Sequence, residues 1–227
     1  MSDHCPPRTP SVARARLILV RHGETEANVS QVWHGALDAP LTERGRAQVA
    51  ATAAWLSDLH RRQPLDGFYV SPLPRAQSTA AAIAAAIGRQ PVVVEGLREF
   101  SIGDWEGRSF RELREVEDLW GRWEADPCFA PPNGESPRSF NRRVVETVIK
   151  LVDRHPDGTA LAVSHGGVIG SVLATLVGDG PDDWRRFDPH NCAVSVLQWQ
   201  EGRWSGELIN ATDHLPLVAR ADYEPDY

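Results

Sequence analysis

Cysteine is scarce in this 227-residue chain: there are three, Cys5, Cys128 and Cys192, an odd number set far apart. That excludes a disulfide framework and a CxxC zinc or redox site, and it fits a reducing cytoplasm. Long apolar runs are missing as well. Nothing approaches the about eighteen residues that a membrane span requires, and the opening MSDHCPPRTPSVARAR holds no apolar core of signal-peptide length. The chain is therefore expected to be neither inserted nor exported, with no membrane partner and a cytoplasmic location. A basic excess is also absent. The net charge of −7 and a pI of about 5.6 argue against a nucleic-acid partner, so an anionic ligand has to be met by local arginines. Of the histidines, His4, His34, His60, His155, His190 and His214 show neither i,i+4 pairing nor a cysteine at ligand spacing, so no metal site is expected.

What is present is an ordinary globular composition, 41% hydrophobic and 24% charged, enough for one core. Residues 1–15, with three prolines and several charges, read as a disordered leader, and 216–227 read as a tail, leaving one domain over 16–215. Inside it, Leu17–Val20, Gly67–Ser71, Val92–Glu95 and Thr159–Ser164 are continuously apolar, the pattern of parallel strands buried on both faces. Helices are expected over Thr42–His60, Arg75–Ile87 ended by Gly88, and Ser136–His155, the last opening on a Ser-Pro cap. Ala193–Gln200 and Trp204–Asn210, separated by Glu201-Gly202-Arg203, read as a hairpin at an antiparallel edge. The fold class that follows is α/β: a three-layer αβα sandwich with a mostly parallel sheet and one antiparallel edge strand.

One segment breaks the alternation. Residues 100–135 carry Trp105, Phe110, Trp120, Trp123 and Phe129, a capping box Ser109-x-x-Glu112 and a proline-rich end, APPNG. It reads as an inserted helix and long loop forming a lid over one end of the sheet, its aromatic residues making a small core of their own.

In an open α/β sheet, ligands sit beyond the carboxyl ends of the strands. The residues there are Arg21, His22 and Gly23 after the first strand, and Ser71 to Arg75 after the second. Leu97, Arg98 and Glu99 follow the third, and His165, Gly166 and Gly167 the fourth. Two arginines, two histidines and a carboxylate suit a phosphoryl group, because a guanidinium fork matches phosphate oxygens and glycines let backbone N–H groups approach an anion. Arg75 falls in the first turn of a helix, a poor place for a cation unless an anion sits beside it. From the residues alone, Glu99 competes with Glu95, Asp104 and Glu106 as the site carboxylate. Asn28 could equally cap a turn, and Gly166 and Gly167 could serve strand-to-helix geometry.

The chain resembles the histidine phosphatase superfamily, also called the phosphoglycerate-mutase-like fold. The motifs are RHGETEAN at 21–28, WHGALDAPLTERGRAQ at 33–48, SPLPRAQSTA at 71–80, LREFSIGDWEG at 97–107, GES at 134–136 and SHGG at 164–167, spanning about residues 16–215. The resemblance implies that His22 is the nucleophile, that Arg21, Arg75 and His165 hold the phosphate, that Asn28 adds an amide donor, and that Glu99 is the proton donor. Thr25, Gly35 and Gly166 are carried with them as phosphate-binding positions. The chemistry is consistent. An imidazole attacks phosphorus only when neutral, and neighbouring arginines lower its pKa. They also take the electrostatic role that Mg²⁺ fills in many phosphoryl-transfer sites, so no cofactor is called for.

The expected activity is a metal-independent phosphomonoesterase acting on a small phosphorylated metabolite through a phosphohistidine. The alternatives are a 2,3-bisphosphoglycerate-dependent mutase and a non-catalytic phosphate-binding relative. Against the mutase, Thr25 and Ala27 stand where mutases of the family usually have Ser and Trp, and the insertion is short. Specificity is expected from Trp33, His34, Phe100 and parts of the insertion.

Overall fold

The computed structural model describes residues 9–220; residues 1–8 of the leader and 221–227 of the tail lie outside them. The first strand, β1 (Arg14–Arg21), begins two residues ahead of the expected domain start at 16. Just before it, Ser11 donates to Asp153 Oδ1 and Val12 O accepts from Trp199 Nε1.

β1 is the hinge of the architecture because its side chains alternate between two cores. Leu17 and Leu19 join a cluster with Phe140, Val144 and Val148 of α6 (Pro137–Val152) and Val168, Ile169 and Val172 of α7 (Gly166–Leu176). Ile18 and Val20 face the other way, onto Ala53 and Leu56 of α2 (Glu43–Arg62) and Ala76, Ala80 and Ile83 of α3 (Pro74–Ile87). The same split runs through β2 (Gly67–Val70) and β4 (Thr159–Ser164). Each fully buried Leu or Ile contributes about 1.5–3 kcal/mol, so a sheet apolar on both faces has to be covered twice, which makes three layers.

The sheet order is β3-β2-β4-β1-β5-β6, with β3 (Val92–Val93), β5 (Val194–Gln200) and β6 (Arg203–Ala211) completing it. β1 pairs in parallel with β4, β4 with β2, and β2 with β3. β5 runs antiparallel to β1, and β6 to β5, so the antiparallel edge is the hairpin of β5 and β6. β3 also departs from expectation: it is two residues long, and Val92 and Val93 are 55% and 53% exposed. A continuous apolar run does not by itself distinguish a central strand from an edge.

Caps fall where the sequence places them. Thr42 Oγ1 accepts from Gly45 N, Ser136 caps α6, and Gly88 ends α3 at φ 69°. The insertion forms two short helices, α4 (Phe110–Glu115) and α5 (Leu119–Ala125), the first opened by the Ser109–Glu112 capping box. Its aromatics do not form a separate core. Leu113, Leu119, Trp120 and Trp123 pack continuously with Leu97, Phe100 and Phe140, which makes the insertion part of the main core on the α6–α7 side. Among the described residues no helix is long and apolar enough to cross a membrane.

Candidate active site

β1, β2 and β4 point their carboxyl ends at one rim, and their ends are stitched together: His22 N donates to Ser164 O and Ser71 N to Val163 O. The short helix α1 (Glu26–Val29) follows β1 at once. Its approach to α2 is secured by Glu24, whose carboxylate accepts from Thr42 Oγ1 at 2.6 Å and from Arg44 Nε at 2.7 Å.

His22 is 3% exposed, and its Nδ1 lies 2.8 Å from its neighbour's carbonyl, Gly23 O. A carbonyl only accepts, so Nδ1 carries the proton and Nε2 is left with a lone pair. Burial, then the charges of Arg75 and Arg21, hold the ring well below the ordinary pKa of 6.5. The arginines were expected to do this; desolvation is the larger cause.

His165 caps the start of α7, fully buried, its ring centroid 5.2 Å from that of His22 at an interplanar angle of 61°. Its Nε2 is 2.7 Å from Ser71 Oγ, and its Nδ1 has no hydrogen-bond partner among the described residues. It too is held well below 6.5, first by burial and then by Arg75.

The two arginines are tethered by backbone oxygens. Arg75 donates to Gly35 O at 2.8 Å and to Leu37 O at 2.9 Å. Arg21 donates to Pro189 O and lies 3.8 Å from Asp188. Both line a cleft together with His22, Asn28, Glu99 and Gly167. The Glu99 carboxylate accepts from Phe100 N at 2.9 Å and Gly167 N at 3.2 Å. Those bonds and Arg75 favour its charged form, but burial outweighs them and its pKa is raised. Of its rivals, Glu106 turns away to Ala36 N and Ser101 Oγ, Asp104 to Asn133, and Glu95 to Arg98.

Asn28 Oδ1 accepts from Thr25 N, Thr25 Oγ1 and Asn191 Nδ2, an orientation that leaves the amide –NH₂ to the cleft it lines. Thr25, 1% exposed, spends its hydroxyl on that bond and serves as the cap of α1. Gly35, at φ 48°, enters through its carbonyl on Arg75; a Cβ there would collide with the Glu106 carboxylate. Gly166 carries the Arg21 guanidinium 3.3 Å from where its Cβ would stand. Trp33, His34 and Phe100 line the cleft as expected.

Sequence reasoning missed residues 188–191. Asn191 Nδ2 donates to His22 O at 3.1 Å, and Asp188 and Pro189 bracket Arg21. They precede β5, and because β5 is antiparallel its amino end lies at the rim where the parallel strands finish. Inspecting carboxyl ends alone passes over them. The hairpin pattern was the available signal. Among the described residues no group of three His, Cys, Asp or Glu is placed to hold a metal ion.

Comparisons with known proteins bear on the family and the fold. The family model for the histidine phosphatase superfamily (branch 1) matches residues 17–212. A curated relative from Yersinia enterocolitica, described as a probable phosphoglycerate mutase, is 34% identical over 90% of this chain and 96% of its own. A solved phosphoserine phosphatase variant of Entamoeba histolytica bound to phosphoserine superposes with a TM-score of 0.79, 29% identical, covering 88% of this chain and 99% of that one. An α-ribazole phosphatase of Shigella flexneri gives a TM-score of 0.75 at 30% identity, covering 86% and 96%.

Proposed function

This chain belongs to branch 1 of the histidine phosphatase superfamily, and from that premise we propose that it hydrolyses small phosphate monoesters by passing the phosphoryl group through His22. The observation that carries the reading is the His22 ring: neutral by burial, with Nδ1 held on Gly23 O and two tethered guanidinium groups alongside.

In the first step the Nε2 lone pair forms the N–P bond as the ester P–O bond breaks, and the Glu99 proton goes to the leaving oxygen. A raised pKa on Glu99 keeps that proton available. In the second, Glu99 takes a proton from water as the new O–P bond forms and the N–P bond breaks. The sum is ester plus water to alcohol plus phosphate. Arg21 and Arg75 offset the charge of the transferring group, and Asn28 and the unpartnered His165 ring nitrogen donate to its oxygens.

The test is phosphate release from an aryl phosphate with EDTA present, set against His22→Ala. Activity should persist under chelation and vanish in the variant; a requirement for added Mg²⁺ overturns the mechanism. The mutase reading draws on the name of the Yersinia relative. Rapid 2-phosphoglycerate formation from 3-phosphoglycerate, dependent on 2,3-bisphosphoglycerate, decides for it; the expected result is phosphate release instead.

A further inference from the structure

We propose that the natural substrate's leaving group is an uncharged alcohol bearing a planar aromatic ring, seated in the outer part of the cleft. The proposal rests on the hydrolase reading above and adds what the enzyme selects.

The cleft is electrically lopsided. Among the described residues the arginines lining it are Arg21 and Arg75, both at the phosphoryl end and both tethered to main-chain oxygens, and no lysine lines it. Arg143, which does not line the cleft, commits its fork to Glu135 and to the carbonyls of Gly96 and Arg98. With Arg21 and Arg75 engaged by the phosphoryl group, a carboxylate on the leaving group would meet no further guanidinium or ammonium group among the described residues that line the cleft, and its desolvation would go unpaired. Among the described residues lining the cleft, His34 is the one basic side chain besides Arg21, His22 and Arg75. Its Nδ1 sits 3.2 Å from Val32 O, so it offers one ring nitrogen and not a bidentate fork.

What the outer wall does offer is aromatic. Trp33, Phe100, Phe110, Phe140 and Trp184 line it, brought from five separate segments of the chain. Phe100 is stacked on Phe140 at 4.5 Å and 10° and on Trp123 at 4.9 Å and 16°, and Trp33 stands edge-on to Phe100 and Phe110 at 6.1 and 5.7 Å. With both faces of Phe100 covered, the half-buried Trp33, Phe110 and Trp184 are left to meet a ring, in edge-to-face or offset contact. Its polar side chains, Asn141 and Ser171, are uncharged. Asn141 spends its amide on Ser171 and Thr175 and keeps its carbonyl for a donor on the substrate.

The test compares kcat/KM for phosphate release from 2-phenylethyl phosphate, n-butyl phosphate, O-phosphoserine and 3-phosphoglycerate. All four lose an alkoxide, so the comparison reads the fit of the leaving group rather than its acidity. The phenylethyl ester should exceed the butyl ester by about tenfold and both carboxylate esters by more, the span that apolar fit and an unpaired buried charge produce. Trp33→Leu and Trp184→Leu should each bring the phenylethyl-to-butyl ratio toward one; Trp184, on the 181–187 turn, gives a second reading if Trp33→Leu does not fold. Preference for either carboxylate ester, or a ratio near one in the wild type, overturns this inference and leaves the hydrolase reading standing. Release from none of the four overturns the hydrolase reading and this inference with it.

Discussion

The ring of His165 stands 5.2 Å from the ring of His22, edge toward face, with both buried and both held well below their ordinary pKa of 6.5. Two imidazoles at this distance between two guanidinium groups are tolerable only while uncharged, and that condition is what a phosphorus nucleophile needs.

The pairing has a consequence for stability. Unfolded, each histidine binds a proton below pH 6.5; folded, neither does until well below it. Stability from this pair is therefore complete above 6.5 and lost as pH falls beneath it, while Glu99, with a raised pKa, contributes in the opposite sense. His22→Asn should flatten the acid-side slope of unfolding free energy against pH by about one proton, roughly 1.4 kcal/mol per pH unit. Urea melts from neutral pH downward check it, and parallel curves for the two proteins count against a neutral His22.

Glu99→Gln should lower kcat by about a hundredfold or more on an alkyl phosphate, the range for a lost general acid, and by much less on p-nitrophenyl phosphate, whose phenolate leaves without a proton. Equal losses on both esters would assign Glu99 to binding rather than proton transfer.

Gly35 and Gly88 make a matched pair, since both have positive φ. A Cβ at Gly88 meets nothing within 4 Å, whereas at Gly35 it meets the Glu106 carboxylate and disturbs the carbonyl that holds Arg75. Gly88→Ala should cost about 1 kcal/mol of stability at unchanged kcat/KM. Gly35→Ala should in addition weaken competitive inhibition by inorganic phosphate, by about tenfold for one misdirected charge-assisted contact. Equal phosphate inhibition in the two variants refutes the link through Arg75.

Asn191→Ala removes donors from His22 O and Asn28 Oδ1 together. KM for an aryl phosphate should rise, because Asn28 loses one of the three bonds that orient its amide, and the losses from Asn191→Ala and Asn28→Ala should be less than additive in the double variant. Fully additive losses would separate the two residues.

The parallel strands were legible because a strand covered on both faces has to be apolar along its length, as Leu17–Val20 and Ala160–Val163 are. The same property hid the edge: Val92 and Val93 are as apolar as a central strand and stand exposed. The principal charged groups were legible too. Arg21, His22, Arg75, Glu99 and His165 follow directly on strands or on the loops that leave them, so local order along the chain places them at one rim. The insertion's aromatics were misread because pattern alone does not say which side of a helix meets which core; Trp120 and Trp123 turn out to extend the main one.

The order of residues along the chain determined which groups the rim would hold, because a strand's end and the residue after it are inseparable. Which atoms of those groups are left for a ligand was decided only by the folded chain. The Gly23 carbonyl selects the free nitrogen of His22, Gly35 and Leu37 aim Arg75, and the antiparallel β5 returns Asn191 to residues some 160 positions away. Hydrogen bonds and desolvation depend on distances of a few ångströms between parts remote in sequence, and packing alone sets those distances.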